Sequence, residues 1–231
     1  MPRKRSIPDE DLLDAALLVV REAGPDALSF GVLAPRAGLA ASTIVQRFGT
    51  KAALLRAALG RAWDLLDAET ARADAAAGPG PAGVVDLLVQ LSGQYDEHGD
   101  FPDGLRVLAE DLRDPVLRER GRAWIATLGA AIERRLASAP GGATGLGVLV
   151  VAHWQGTLTV WAFQRGEPLR TTVRRSLEQL LARLPIEGPP AAAPAVAPAA
   201  PPAPPAPAPA PAPAPTKDKA AKAKKGKKRR R

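Results

Sequence analysis

The stretch Ser29–Leu55, SFGVLAPRAGLAASTIVQRFGTKAALL, decides how the rest of this chain is read. Ser29 stands as the N-cap of a first helix, on which Phe30, Leu33 and Ala37 recur at i, i+3 and i+7 along one face. Gly38 supplies its stop. On a short second helix Ile44 and Phe48 stand four apart, so they share a buried face and leave Ser42, Thr43, Gln46 and Arg47 to the others. Gly49 ends that helix and Thr50 caps a third. Its first residue, Lys51, is a cation where the helix macrodipole favours an anion, and a bound phosphate would satisfy both. Helices this short, joined by glycine turns, are the pattern of a helix-turn-helix. Pro35 lies inside the first helix, where it removes the bond to the Gly31 carbonyl at about 3 kcal/mol in a regular interior, so a late start or a kink is expected there.

Charge draws attention to the same stretch. The 231-residue chain has net charge +8, but Lys217–Arg231 holds ten basic residues and one acid, so the other 216 residues sum to about −1. Within that near-neutral part, positions 36 to 61 contain Arg36, Arg47, Lys51, Arg56 and Arg61 and no acid. A basic patch coinciding with a helix-turn-helix is the footprint of nucleic-acid binding.

These residues resemble the DNA-binding domain of the tetracycline-repressor (TetR/AcrR) family of transcriptional regulators. The family pattern is met by Leu33 and Ala34, by Ala37, Gly38 and Leu39, by Thr43 in the recognition helix, and by Phe48, Lys51 and Leu54, with no gap. Two positions depart from it. Ala40 stands where the family places a capping Ser, and Val45 where it places a Tyr that reaches a phosphate.

The resemblance implies an all-α chain, with residues 1–66 forming a three-helix helix-turn-helix DNA-binding domain and 67–187 a helical effector-binding and dimerisation domain. Residues 188–231 lie outside the family pattern and are expected, from their composition, to be a disordered Pro/Ala-rich linker and basic tail. It implies a ligand-responsive repressor that binds double-stranded DNA as a homodimer on a near-palindromic operator, in the cytoplasm, with no cofactor and no metal. Ala41, Ser42, Thr43 and Gln46 are the candidates for base edges, Gln46 suited to adenine and Ala41 to a thymine methyl. Ser29, Arg47, Thr50 and Lys51 are the candidates for phosphates. The alternative is an architectural nucleic-acid-binding protein acting mainly through the Lys/Arg tail.

The remaining sequence fills in this frame. Arg3, Lys4 and Arg5 precede the first helix, either as a solvated terminus or as a basic arm reaching into a minor groove. Ser6 and Asp9 have capping-box spacing ahead of Leu12, Leu13, Ala16, Leu17, Val20 and Ala23, and Gly24-Pro25 closes that helix. From Thr50 a long helix should run to about Asp74, before the break at Gly78-Pro79-Gly80-Pro81. Further helices are expected near 83–98, 102–112, 115–137, 145–165 and 168–184, with Asp114-Pro115 the clearest start. The Pro/Ala run from Gly188 to Pro215 cannot bury enough surface to fold.

Gly145–Phe163 carries no charged residue, which raises the question of a membrane span, but His153, Gln155, Thr157 and Thr159 near its middle argue for a buried helix. Leu149, His153, Val160 and Gln164 are expected to face its own domain, and Val151, Gln155, Leu158 and Ala162 a second copy.

No catalytic constellation is present in the sequence. There is no cysteine, His98 and His153 lack a metal-binding companion motif, and Gly141–Gly147 lacks the Lys-Ser/Thr of a phosphate-binding loop. Asp100, Asp103, Glu110, Asp111 and Asp114 read as a solvated face. Tyr95, Trp124, His153 and Trp154 are the candidates for an effector pocket, with Phe101 and Trp161 beside them; packing in the core is the competing account.

Overall fold

The computed structural model describes residues 7–93, 101–137 and 145–184; of residues 101–103 only the helical backbone is described. Tyr95, His98, the arm Arg3–Arg5, the Gly141 loop and everything beyond Leu184, the Pro/Ala run and basic tail included, lie outside the described residues. Among the described residues the chain is helical throughout, without strands.

The first helix, α1 (Asp9–Ala23), has Pro8 at its N-cap and no side-chain cap bond, so the capping box expected from Ser6 and Asp9 is not what starts it. Asp9, Glu10 and Asp11 in its first turn complement the macrodipole instead. A short 3-10 turn (Pro25–Ala27) leads to α2 (Phe30–Ala37), where Ser29 Oγ accepts from the Val32 amide at 3.2 Å. Pro35 delays nothing: α2 begins directly after its cap and carries the proline as the sixth of eight residues. In so short a helix only the Gly31 carbonyl loses a partner. Gly38 ends it in the left-handed conformation (φ 63°, ψ 31°), its N–H turned back to the Ala34 and Pro35 carbonyls. The next helix, α3 (Ala41–Phe48), ends at Gly49 (φ 72°). Thr50 Oγ1 caps α4 (Lys51–Ala76) by accepting from the Ala53 amide at 3.1 Å.

These four helices bury Leu12, Ala16, Val19, Val20, Leu28, Leu33, Ile44, Leu54, Ala58 and Leu59 in one cluster. Leu117, from the other half of the chain, belongs to the same cluster.

The second half comprises α5 (Gly80–Leu91), α6 (Phe101–Arg113), α7 (Pro115–Leu136), α8 (Leu146–Gln164) and α9 (Leu169–Leu181). The glycine-proline run that reads as a break contains the start of α5, with Pro79 at its N-cap. Asp114 Oδ1 accepts from the Val116 and Leu117 amides, so Asp114-Pro115 starts α7 as its sequence predicts. The C-terminal end of α4 is held by Arg135, which donates to the Asp74, Ala77 and Gly78 carbonyls and to the Asp74 carboxylate. Two residues earlier on α7, Glu133 Oε1 accepts from the Gly145 and Gly147 amides at the start of α8. There α7 and α8 cross with Gly147 directly against the Gly129 backbone, where any side chain on Gly147 would collide.

The expected faces of α8 need correction. Val150, Val151, Trp154, Thr157 and Leu158 are the side chains it buries in its own core, while Leu149 and Val160 point out. Val148, Leu149, Val160 and Phe163 (87% exposed) form an uncharged outer face. The helix is thus buried on one side only. It is long and apolar enough to cross a membrane by length and composition, but its inner face is part of the second cluster, with Leu87, Leu88, Leu128, Ile132, Val173 and Leu177.

Candidate nucleic-acid interface

On α3 the burial of Ile44 (0% exposed) and half-burial of Phe48 fix the rotation of the helix. Ser42, Val45 and Gln46 are therefore exposed, and Ala41 and Thr43 half-exposed. Among the described residues the side chains of Ser42, Thr43 and Gln46 make no hydrogen bond. Three polar groups held on a rigid helix and satisfied only by water are suited to exchange that water for another polar surface. No side chain caps this helix at Ala40, as the sequence implies.

The flanks are more committed. Ser29 and Thr50 accept at their helix starts, which leaves each hydroxyl hydrogen to donate elsewhere. Lys51 Nζ donates to the Asp26 carbonyl at 2.7 Å, which draws the start of α4 to the turn after α1. Arg47 is engaged within its own chain: Nη1 donates to the Ile7 carbonyl and to Asp9 Oδ1, both at 2.9 Å.

The basic patch is less basic in space than in sequence. Arg36 pairs with Glu22, Arg47 with Asp9, Arg56 with Asp114, and Arg61 with Asp14 and Glu10. Of the five cations between positions 36 and 61, Lys51 alone has no acid partner among the described residues. An acid-free window of sequence has folded against acids supplied by α1 and by the α6–α7 corner. The Arg56 guanidinium and the two capping amides hold the Asp114 carboxyl below the usual carboxylate range.

The residues expected to line an effector pocket are spread through the second half. Trp124 and Trp154 (1% exposed) are core residues with ring centroids 6.3 Å apart, and Trp63 of α4 lies 6.1 Å from Trp124. Each indole N–H has a side-chain acceptor: Asp111 for Trp63, Thr70 for Trp124, Ser92 for Trp154. Half-buried His153 shares Ser176 with Thr157 and does not meet the tryptophans' polar atoms. The Trp161 N–H reaches the Glu167 carbonyl and ties down the turn after α8. An outer groove of about 270 Å³ between α4 and α7 has Trp124 on its floor and Asp67, Thr70, Asp74, Arg120 and Thr127 around it.

Sequence reasoning missed Asp111. Read as part of a solvated acidic face, it is 8% exposed and accepts from Trp63 across the junction of the two halves. Burial pushes its carboxyl up to about 6, the Trp63 hydrogen bond lowers it, and the Asp114 and Glu110 charges add to the rise. The available signal was its spacing, four residues after Val107 on the face of α6 that meets the head.

Residues 12–58, the segment that forms this interface, match the family model described as bacterial regulatory proteins, tetR family. Over that segment the chain is similar to the N-terminal part of TetR-family regulators. No curated protein matches it. The TetR fold extends beyond the head, however. A TetR transcriptional regulator from Legionella pneumophila superposes with TM-score 0.59 at 16% identity, over 77% of this chain and 99% of that one. A transcriptional regulator from Rhodococcus sp. Rha1 gives 0.59 at 19% identity, over 77% and 97%. The fatty acid degradation regulator FadR from Bacillus halodurans gives 0.55 at 19% identity, over 78% and 98%. At these identities the likeness speaks to the fold alone.

Proposed function

We propose that this chain is a ligand-responsive transcriptional repressor of the cytoplasm, binding a near-palindromic operator as a homodimer. The observation that carries the reading is α3 itself: a short helix with Ser42, Thr43 and Gln46 uncommitted and outward, flanked by the hydroxyls of Ser29 and Thr50 and the cation of Lys51. Ala41, Ser42, Thr43 and Gln46 would meet base edges in a major groove, and Ser29, Thr50 and Lys51 would fix register on phosphates.

Dimerisation is supported by the uncharged outer face of α8, where Val148, Leu149, Val160 and Phe163 stay exposed in the single chain. An effector has a candidate entry at the groove beside Trp124, where a wedge between α4 and α7 would move the helix that carries the head. It would lower DNA affinity only by its difference in affinity for the two arrangements.

The test is selection of duplexes from a random pool by a chain ending at Leu184, with its mass measured in solution. Paired half-sites about one helical turn apart, or a multiple of it, bound by two copies support the reading. A monomer, or a pool that shows no enrichment, overturns it. The ten cations of the tail favour a second, architectural reading, which expects no discrete site and a salt slope carried almost wholly by Lys217–Arg231.

A further inference from the structure

The two edges of α3 are built differently. Side chains four apart on a helix stand one above the other, so its eight residues make four rows: Ala41 with Val45, Ser42 with Gln46, Thr43 with Arg47, and Ile44 with Phe48. The last row is the buried face, and the row of Ser42 and Gln46 lies opposite it. Of the two rows between, one is tied to the protein. Arg47 turns its guanidinium onto the start of α1, donating to the Ile7 carbonyl and the Asp9 carboxylate at 2.9 Å each, and its side chain is only 23% exposed.

The other edge has no such tie. Ala41 packs partly against the core of the head, but Val45 stands 40% exposed, while Ile44 and Phe48, the other large apolar side chains of α3, are buried or half-buried. One turn beyond Val45, nothing among the described residues comes within 4 Å of where a Cβ on Gly49 would sit, so that end of the edge is open. Helix propensity does not favour a β-branched residue there, and water gains nothing from it. A lone exposed valine is ordinary on a surface that meets only solvent. This one adjoins Gln46 on the helix whose polar groups are free, with Thr50 and Lys51 just beyond.

The chemistry of the major groove narrows what Val45 can meet. Base edges there present donors and acceptors, with a single apolar group, the C5-methyl of thymine. A polar base edge or phosphate oxygen pressed against valine would lose water and gain no bond. A methyl loses nothing by the exchange. We infer that Val45 is a specificity-determining residue whose side chain packs on a thymine C5-methyl, so that each half-site requires a T·A pair at that place. The inference rests on the DNA-binding reading above. Cβ atoms four apart on a helix are about 5–6 Å from each other, more than the spacing of about 3.4 Å between stacked base pairs, so Val45 and Ala41 meet different bases.

The test uses the full chain and a duplex it selects from a random pool. Each thymine of one half-site is replaced in turn by deoxyuridine, which lacks only the C5-methyl. At one position the replacement should weaken binding about fourfold, the worth of one buried hydrocarbon group. In Val45→Ala the same replacement should cost nothing further, and Val45→Thr, of the same shape but with a hydroxyl, should blunt it. Both changes lie on the exposed edge, so the far-ultraviolet circular dichroism of α-helix and the slope of log affinity against log salt should stay as in the wild type.

If no position is sensitive to uridine, or if every sensitivity survives intact in Val45→Ala, the contact is overturned. A Val45→Ala loss that is equal on all duplexes puts the side chain against the sugar-phosphate backbone and overturns it as well. A chain that selects no sequence removes the DNA-binding reading and this inference together, whereas selection indifferent to the methyl removes this one alone.

Discussion

The head and the body of this molecule place their polar groups in opposite ways. In the cluster shared by α1 to α4 every buried side chain is apolar, and the polar residues of α3 are turned out. The buried polar residues Thr70, Ser92, Asp111, Arg135 and Thr157 all lie outside that cluster, in or against the body, where three tryptophans each need an acceptor. A reading head has to keep its side chains uncommitted until a partner arrives, so its interior needs only shape. A body that carries polar groups inside has to satisfy each of them, because an unpaired one would cost about 1–3 kcal/mol. The difference separates what tolerates substitution from what does not.

The largest expected effect follows directly. Trp154→Ala removes a fully buried indole from the body and leaves the Ser92 hydroxyl without its donor, so a loss of about 3–5 kcal/mol is expected. The head counterpart, Ile44→Ala, removes fewer buried atoms and no hydrogen bond, and should lie at the lower end of about 2–5 kcal/mol. Denaturant midpoints measured at constant slope compare the two. Equal losses would mean that the polar partner adds nothing to the body core.

Asp111 tests the junction between the regions. Its native pKa of about 6 lies above the ordinary 3.8, so the folded state holds the proton more tightly than the unfolded one. That contribution is complete below about pH 4 and is lost as pH rises through about 6, leaving a buried carboxylate at neutral pH. At 1.36 kcal/mol per unit, and with water screening the partly open side of the carboxyl, the gain over pH 7.5 to 5 should be about 1 kcal/mol. Wild-type stability should therefore rise between pH 7.5 and 5, and Asp111→Asn, which can still accept from Trp63, should be more stable at pH 7.5 and lack that rise. Asp114, held below its usual range by Arg56, acts in the opposite direction and at lower pH, so it does not mask the change. A wild type whose stability falls over this window would remove the buried carboxylate as the source.

The two regions were unequally legible in the sequence. In the head, caps and stops are local: Ser29, Gly38, Gly49 and Thr50 each act within four residues, and all four do what their residue types imply. Asp114-Pro115 is legible for the same reason. The body's errors come from contacts far apart along the chain. Which faces of α8 are buried depends on α5, α7 and α9, and an uncharged helix gives the period no contrast to read. Asp111 looked solvated because Trp63, its partner, lies 48 residues away. The pairings of Arg36, Arg47, Arg56 and Arg61 are nonlocal too, which is why a window without acids overstated the positive patch.

The smallest effects belong to the caps, and they sharpen the comparison from the head's side. Thr50→Ala deprives the Ala53 amide of its acceptor at the start of α4, and about 1 kcal/mol should be lost. Ala40→Ser runs the other way. Ala40 has extended backbone at the N-cap of α3 (φ −74°, ψ 141°), the conformation a capping serine uses, and no side chain bonds the amides that follow. A serine hydroxyl there could accept from an amide of the first turn without moving the backbone, so thermal or denaturant unfolding should show a gain of about 0.5–1 kcal/mol. Because the head's interior depends on shape alone, the added bond should leave the packing of Ile44 and Phe48 as it is and change stability without changing which bases α3 selects. If the variant is no more stable, the first-turn amides of α3 are already satisfied by water as well as a hydroxyl could satisfy them; if it shifts base preference, the orientation of α3 depends on its cap rather than on its buried face.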